Sequence, residues 1–160
     1  YNYMSRFSLI AMGGTFDIIH RGHLTLLENA FEISDKVIIG LTSDDLAQKK
    51  RKTPIHKYDE RLKNLISVIL KKFPNSYFEI CQLNSDFGPA VLEKEVQALI
   101  VSDETSNQGN ILNQLRSEHD LPPVEIIVVP MFLAKDGVRI STTRIKNSEI
   151  DVDGNLLPID

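Results

Sequence analysis

Cysteine is almost missing from this chain. The one cysteine in 160 residues, Cys81, cannot form an internal disulfide. A disulfide-built scaffold is therefore excluded, and a reducing, cytoplasmic setting is expected. No apolar run approaches the roughly 20 residues of a transmembrane helix. Residues 1 to 6 lack the basic region and apolar core of a signal peptide, and Met4 is a candidate natural start. Internal repeats and low-complexity tracts are absent. So is a dominant charge: 18 basic against 22 acidic side chains leave a net charge of -4. That balance gives no whole-protein attraction to nucleic acid or to an anionic membrane. An anionic ligand would need a local basic patch, and Lys49-Lys50-Arg51-Lys52 provides one.

What is present is an ordinary globular mixture, 42% hydrophobic and 25% charged, of a length suited to one domain. That domain is expected to cover residues 1–160, with loose ends at 1–5 and about 151–160. Phe7 to Met12 forms a short apolar run, which Gly13-Gly14 ends in a flexible turn. Leu24, Leu27, Ala30 and Phe31 share a helical face. The β-branched run 36–41 reads as a second buried strand. The spacing predicts a strong helix over 59–73, stopped by Pro74, and another over about 105–120. Strands are expected at 77–81, 98–101 and 124–129, with short helices at 90–95 and after Ser141. A loop with one helical turn at 44–48 is expected over 42–53. The alternation argues for a doubly wound α/β sheet of about five parallel strands, with helices on both faces. Such sheets bind ligands beyond the carboxyl ends of their strands.

The densest cluster of unusual residues follows the first strand: Gly13-Gly14-Thr15-Phe16-Asp17-Ile18-Ile19-His20-Arg21-Gly22-His23. Thr15 offers a hydroxyl and Asp17 a carboxylate. If a helix starts near Arg21, His20 and His23 lie on one side of its first turn. Unpaired N–H groups there favour an anion. No Gly-Lys-Ser/Thr closes the segment, and the Gly-x-Gly-x-x-Gly spacing is absent, so neither familiar phosphate loop fits. A zinc site and simple helix capping are the competing readings. Zinc lacks a nearby cysteine, and capping alone leaves the rest of the cluster unexplained.

Gly-Thr-Phe-Asp-x-x-His-x-Gly-His resembles the signature of the HxGH nucleotidyltransferase superfamily, carried between the first strand and first helix of a Rossmann-like domain. The resemblance implies attack on the α-phosphate of a nucleoside triphosphate with release of pyrophosphate. It places His20 and His23 on the phosphates, with Gly13, Gly14, Thr15, Phe16, Asp17 and Gly22 around the nucleotide. Near the C-terminus, Arg139-Ile140-Ser141-Thr142-Thr143-Arg144-Ile145-Lys146 resembles the family's Ile-Ser-Ser/Thr-Thr-x-Ile-Arg segment. Ser and Thr are favoured helix caps, and here the resemblance assigns Ser141, Thr142, Thr143 and Arg144 to the triphosphate. Lys146 stands where the family often has Arg, which keeps the charge and loses the fork. A lysine of the basic loop, Lys50 or more weakly Lys49, is implied on the triphosphate or the acceptor. Arg61, in a Tyr-x-x-Arg element, either reaches the site or forms a surface ion pair.

The acceptor is suggested further along. Val101-Ser102-Asp103-Glu104-Thr105 is similar to the Val-Ser-x-Glu-Thr segment of archaeal and eukaryotic-type phosphopantetheine adenylyltransferases. Asn113-x-x-Arg116, Leu121-Pro122-Pro123, Asp136-Gly137 and the tail from Glu149 to Gly154 continue the likeness, which covers about residues 8–155. It implies ATP and 4′-phosphopantetheine as substrates, Ser102, Glu104 and Thr105 near the acceptor, Mg²⁺ accompanying ATP, and no dedicated protein metal site. Oligomeric state stays open. The alternatives are a CTP-dependent cytidylyltransferase for glycerol phosphate or a similar alcohol phosphate, more distantly an FMN or nicotinamide mononucleotide adenylyltransferase, and a non-catalytic nucleotide sensor. Against the cytidylyltransferase, Asp136-Gly137-Val138-Arg139 replaces the usual Arg-Thr-Glu-Gly before the hydroxyl motif.

Overall fold

A computed structural model describes residues 6–88, 92–103, 105–130 and 132–158. Five parallel strands form one sheet: β1 (Phe7–Gly14), β2 (Ser34–Thr42), β3 (Phe78–Leu83), β4 (Ala98–Ser102) and β5 (Glu125–Val129), in the order β3-β2-β1-β4-β5. Between and after them run α1 (Arg21–Ile33), α2 (Asp44–Lys49), α3 (Tyr58–Lys72), α4 (Asn107–Glu118) and α5 (Thr142–Lys146). This is the expected α/β Rossmann-like architecture. The strand order reverses at β1, so a crevice opens where β1 and β4 diverge, beyond their carboxyl ends.

The central strands are apolar on both faces because both faces are covered. Ile10, Met12, Val37, Ile39 and Leu41 pack with Leu27, Leu65 and Ile69 of α1 and α3. Ala11, Ile38, Leu99 and Val101 pack on the other face with Leu112 of α4. Each fully buried Leu or Ile contributes about 2 kcal/mol, and these contacts hold the helices on the two faces of the sheet.

Polar ties complete the frame. Asn113 on α4 exchanges hydrogen bonds with the Val124 backbone at 2.7 and 3.0 Å, which sets the start of β5. Arg116 is buried on the same helix, donating to the Pro122 carbonyl at 2.7 Å and the Glu93 carbonyl at 2.9 Å. Both motif residues are therefore structural.

Three expectations change. The segment 44–49 is a full α2, capped by the Ser43 hydroxyl, which accepts from the Leu46 N–H at 3.0 Å. Of the short helix expected at 90–95, residues 90 and 91 lie outside the described residues, Leu92 is in a 3-10 turn, Glu93 is at a bend and 94–95 form a turn. The tail is not loose through residue 157. Asp151 organises a turn by accepting from Asp153 and Asn155, and the Leu157 N–H bonds to the Glu149 carbonyl. The Val152 carbonyl receives the Arg21 N–H at 2.9 Å, joining the tail to the start of α1. Residues 1–5 lie outside the described residues, as do 159 and 160.

Candidate active site

A cleft of about 620 Å³ opens at the carboxyl ends of the strands. Its floor is the end of β1. Gly13 and Gly14 are paired strand residues rather than a turn, with Gly13 opposite Gly40 and Gly14 opposite Leu41. The turn comes two residues later at Phe16, whose φ is +50°. Glycine is needed at position 14 for clearance, since a Cβ there would stand 2.9 Å from the Phe16 ring.

His20 is the N-cap of α1. Its Nδ1 accepts from the Gly22 N–H at 3.0 Å, while its own N–H donates to His23 Nδ1 at 3.2 Å. Two imidazoles thus make the reciprocal bonds that Ser and Glu make in an ordinary capping box. Because each Nδ1 accepts, the proton of each neutral ring sits on Nε2. The rings stack with centroids 3.9 Å apart, and Phe16 lies 4.9 Å from His23. Gly22 follows from this stacking, because a Cβ there would come within 2.8 Å of His20 Cε1.

Burial holds both rings neutral at physiological pH. It lowers His20 to about 4, helped by the positive charge of Arg139. It lowers His23 to about 3, with His20 adding to the effect and a hydrogen bond with the Ile18 backbone opposing it. A neutral imidazole can donate to a phosphate oxygen without carrying a charge of its own. Displaced pKa values in a cleft are a mark of functional sites.

Asp17 lies behind the turn with its side chain 4% exposed. Its carboxylate accepts from the N–H groups of Ile55 at 2.9 Å and His56 at 3.0 Å, and from Lys146 Nζ at 3.1 Å. Burial alone would raise its pKa; those bonds outweigh burial and leave it below the ordinary carboxylate value. Asp17 is thus an anchor for loop and lysine. Lys146 also donates to the Thr53 carbonyl at 3.0 Å, which ties α5 to the basic loop.

Ser141, Thr142 and Thr143 line the cleft, and the Ser141 hydroxyl caps α5 by accepting from the Arg144 N–H at 3.2 Å. Ser102 and Thr105 stand on the β4 side, their hydroxyls 3.2 Å apart. Glu104 lies outside the described residues. Lys50 reaches the lining and pairs there with Asp86, whereas Lys49 is exposed outside it.

Two expected site cations are elsewhere. Arg144 does not line the cleft. It pairs with Asp136 and Glu149 and donates to the Arg139 carbonyl at 3.0 Å, fixing the loop before α5. Arg61 is neither in the cleft nor on the surface: its side chain is wholly buried, and its partners are three carbonyls and Asp44. Missed by the sequence reading were Arg139, Gln108, Asp86 and Phe132, all of which line the cleft. Arg139 had a legible signal, a cation two residues before a hydroxyl helix cap.

The profile of the cytidylyltransferase-like family matches residues 11–148. A phosphopantetheine adenylyltransferase of Methanosarcina mazei is 41% identical over 150 residues, covering 92% of this chain and 96% of that one. The chain belongs to the cytidylyltransferase-like family, and its relatives include archaeal proteins named phosphopantetheine adenylyltransferase. A bifunctional phosphopantetheine adenylyltransferase/NTP phosphatase of Thermoplasma volcanium is 39% identical over 149 residues, 93% of this chain. The chain spans 45% of that relative's length. In structure it resembles a protein of unknown function from Archaeoglobus fulgidus (TM-score 0.65, 27% identity, covering 77% of this chain and 89% of that one). No described helix is long and apolar enough to cross a membrane.

Proposed function

We propose that this chain transfers the adenylyl group of ATP to 4′-phosphopantetheine, forming dephospho-coenzyme A and pyrophosphate. The observation that carries the reading is the stacked, neutral His20–His23 pair, capping a helix inside a cleft at the carboxyl ends of the strands. The relatives that match most of the chain are named for this activity.

The acceptor phosphate is already an anion at neutral pH, so the reaction needs no strong base. Its oxygen attacks the α-phosphorus, and the bond to the bridging oxygen of pyrophosphate breaks. The obstacle is an anion approaching a polyanion, and the remedy is positioning plus fixed donors. His23 would meet the α-phosphate in the transition state, with His20 holding the triphosphate beside it. Thr15 has a buried hydroxyl oxygen with no hydrogen-bond partner, which suits a phosphate oxygen. Ser141 to Thr143 would face the outer phosphates, and Lys50 and Arg139 would supply charge.

Mg²⁺ is proposed to arrive with ATP. The donor set does not form a cage for it. Asp17 is engaged by Lys146 and two N–H groups, and Asp86 by Lys50. Among the described residues no cluster of three His, Cys, Asp or Glu could hold a metal. Phosphates and water would coordinate the ion.

The test is pyrophosphate release from ATP or CTP paired with 4′-phosphopantetheine, glycerol 3-phosphate, FMN or nicotinamide mononucleotide. Turnover with ATP and 4′-phosphopantetheine alone is expected. Turnover only with CTP, or only with another acceptor, would replace the reading. Nucleotide binding without turnover would indicate a sensor.

A further inference from the structure

A fully buried arginine is costly unless its charge and donors are matched. Arg61 is such a residue, and what it grips is the rim of the cleft rather than the core. Nη1 donates to the Thr15 carbonyl at 2.9 Å and the Thr42 carbonyl at 2.8 Å. Nε donates to the His56 carbonyl at 3.0 Å, and Nη2 to Asp44 Oδ1 at 2.9 Å. These acceptors stand just after β1, at the end of β2, just before α3 and at the start of α2. A planar fork reaches all four; a lysine ammonium has three donors at one point and cannot.

The turn it holds has reason to relax. Phe16 is a bulky residue at φ +50°, a left-handed conformation that costs free energy in a side chain of its size. On one side of Phe16, Arg61 fixes the Thr15 carbonyl. On the other, Asp17 is held by the N–H groups of Ile55 and His56, and Arg61 in turn holds the His56 carbonyl. Both clamps on the strained residue trace to one guanidinium. Two things depend on the turn: the buried, partnerless hydroxyl of Thr15, a residue of the cleft lining, and the Phe16 ring packed on His23.

We propose that Arg61 is a positioning residue for the transfer: from outside the cleft it fixes the turn over residues 15–17, and so places the Thr15 hydroxyl and backs His23. The kinetic half of this proposal rests on the adenylyl-transfer reading; the structural half does not.

The test compares wild type, Arg61→Lys and Arg61→Ala, with folded fractions from thermal unfolding and rates expressed per folded molecule. In Arg61→Lys, kcat is expected to fall about 100-fold, the scale of a misplaced reacting group, while ATP affinity by equilibrium dialysis stays within about threefold. Guanidinium salts should restore Arg61→Ala by about tenfold or more, and methylammonium should not. Independently of turnover, the ring resonances of His23 should move in Arg61→Lys, because the Phe16 ring current beside it changes. Turnover of Arg61→Lys within about threefold of wild type, or loss of ATP binding in step with turnover, would overturn the proposal, as would unmoved His23 resonances. If neither variant folds, the role is structural and the proposal fails. If wild type itself transfers nothing, the functional reading has failed, and the His23 resonances alone decide the role of Arg61.

Discussion

Two hollows of similar size open at opposite ends of the sheet. One, of about 620 Å³, lies at the carboxyl ends and is lined by histidines, hydroxyls, lysine and arginine. The other, of about 580 Å³, lies at the amino ends, between the last turns of α1 and α3, and is lined by Glu28, Glu32, Asp35, Phe31, Phe73 and Tyr77. Volume does not separate them. Chemistry does: the first presents donors and positive charge to a polyanion, and the second presents carboxylates and aromatic rings that would repel one. The direction of the parallel strands decides which end receives the loops that line the cleft, and the helix that starts at the carboxyl end brings its N-terminus with it.

Substitutions at the two ends should therefore differ sharply. The largest effect is expected for His23→Ala, whose kcat should fall at least ~100-fold, the scale of one lost transition-state donor, with circular dichroism unchanged. Wild-type turnover in that variant would break the comparison. Gly22→Ala comes next. Its new methyl would displace the His20 ring from its stack on His23, and steady-state kinetics should show a loss of about 10-fold or more in kcat. Asp17→Asn removes the anion that holds Lys146 and two loop N–H groups. Denaturant unfolding should show a loss of about 2 kcal/mol, and its pH–rate profile should gain no new limb near neutrality.

The pH dependence of stability sharpens the same contrast. His20 and His23 bind protons less readily folded, at about 4 and 3, than unfolded, at 6.5. Between those values the unfolded chain holds more protons, so stability falls as pH drops. Their contribution is whole above 6.5 and is lost progressively down to about 4 for His20 and 3 for His23. Denaturant midpoints measured from pH 7 to pH 4 should decline, and should decline less in His20→Ala. The smallest effect belongs to the other hollow: Tyr77→Ala, at a side chain 70% exposed, should leave kcat and KM unchanged.

Much of this was legible in the sequence, for identifiable reasons. Strands buried on both faces read as short apolar runs, and helices packed on one face read as stripes, so the alternation survives without any tertiary information. The histidine pair was legible because its capping is local, within four residues. Arg61 and Arg144 were misplaced because a cation goes where its acceptors are, and those acceptors lie on other segments. Thr15 is 46 residues from Arg61, and the contact exists only once β1 and α3 are packed. The glycines were half-read: positions 13 and 14 suggested a turn, yet the ring of Phe16 explains Gly14 and the turn falls on Phe16 itself. The tail looked unpatterned because an Asp-centred turn and backbone bonds to Arg21, Lys135 and Glu149 hold it, and none of these leaves a hydrophobic period.

The central claim is that the neutral histidine pair at the carboxyl end of the sheet receives the triphosphate. Imidazole and backbone-amide ¹H–¹⁵N correlation spectra at pH 7, recorded during titration with Mg²⁺–ATP, test it most directly. The account predicts Nε2-protonated, neutral rings for His20 and His23 before ATP is added, shifts of both resonances on binding, and no change at Phe31 or Tyr77. Unmoved histidine resonances with shifts confined to the acidic hollow would contradict it.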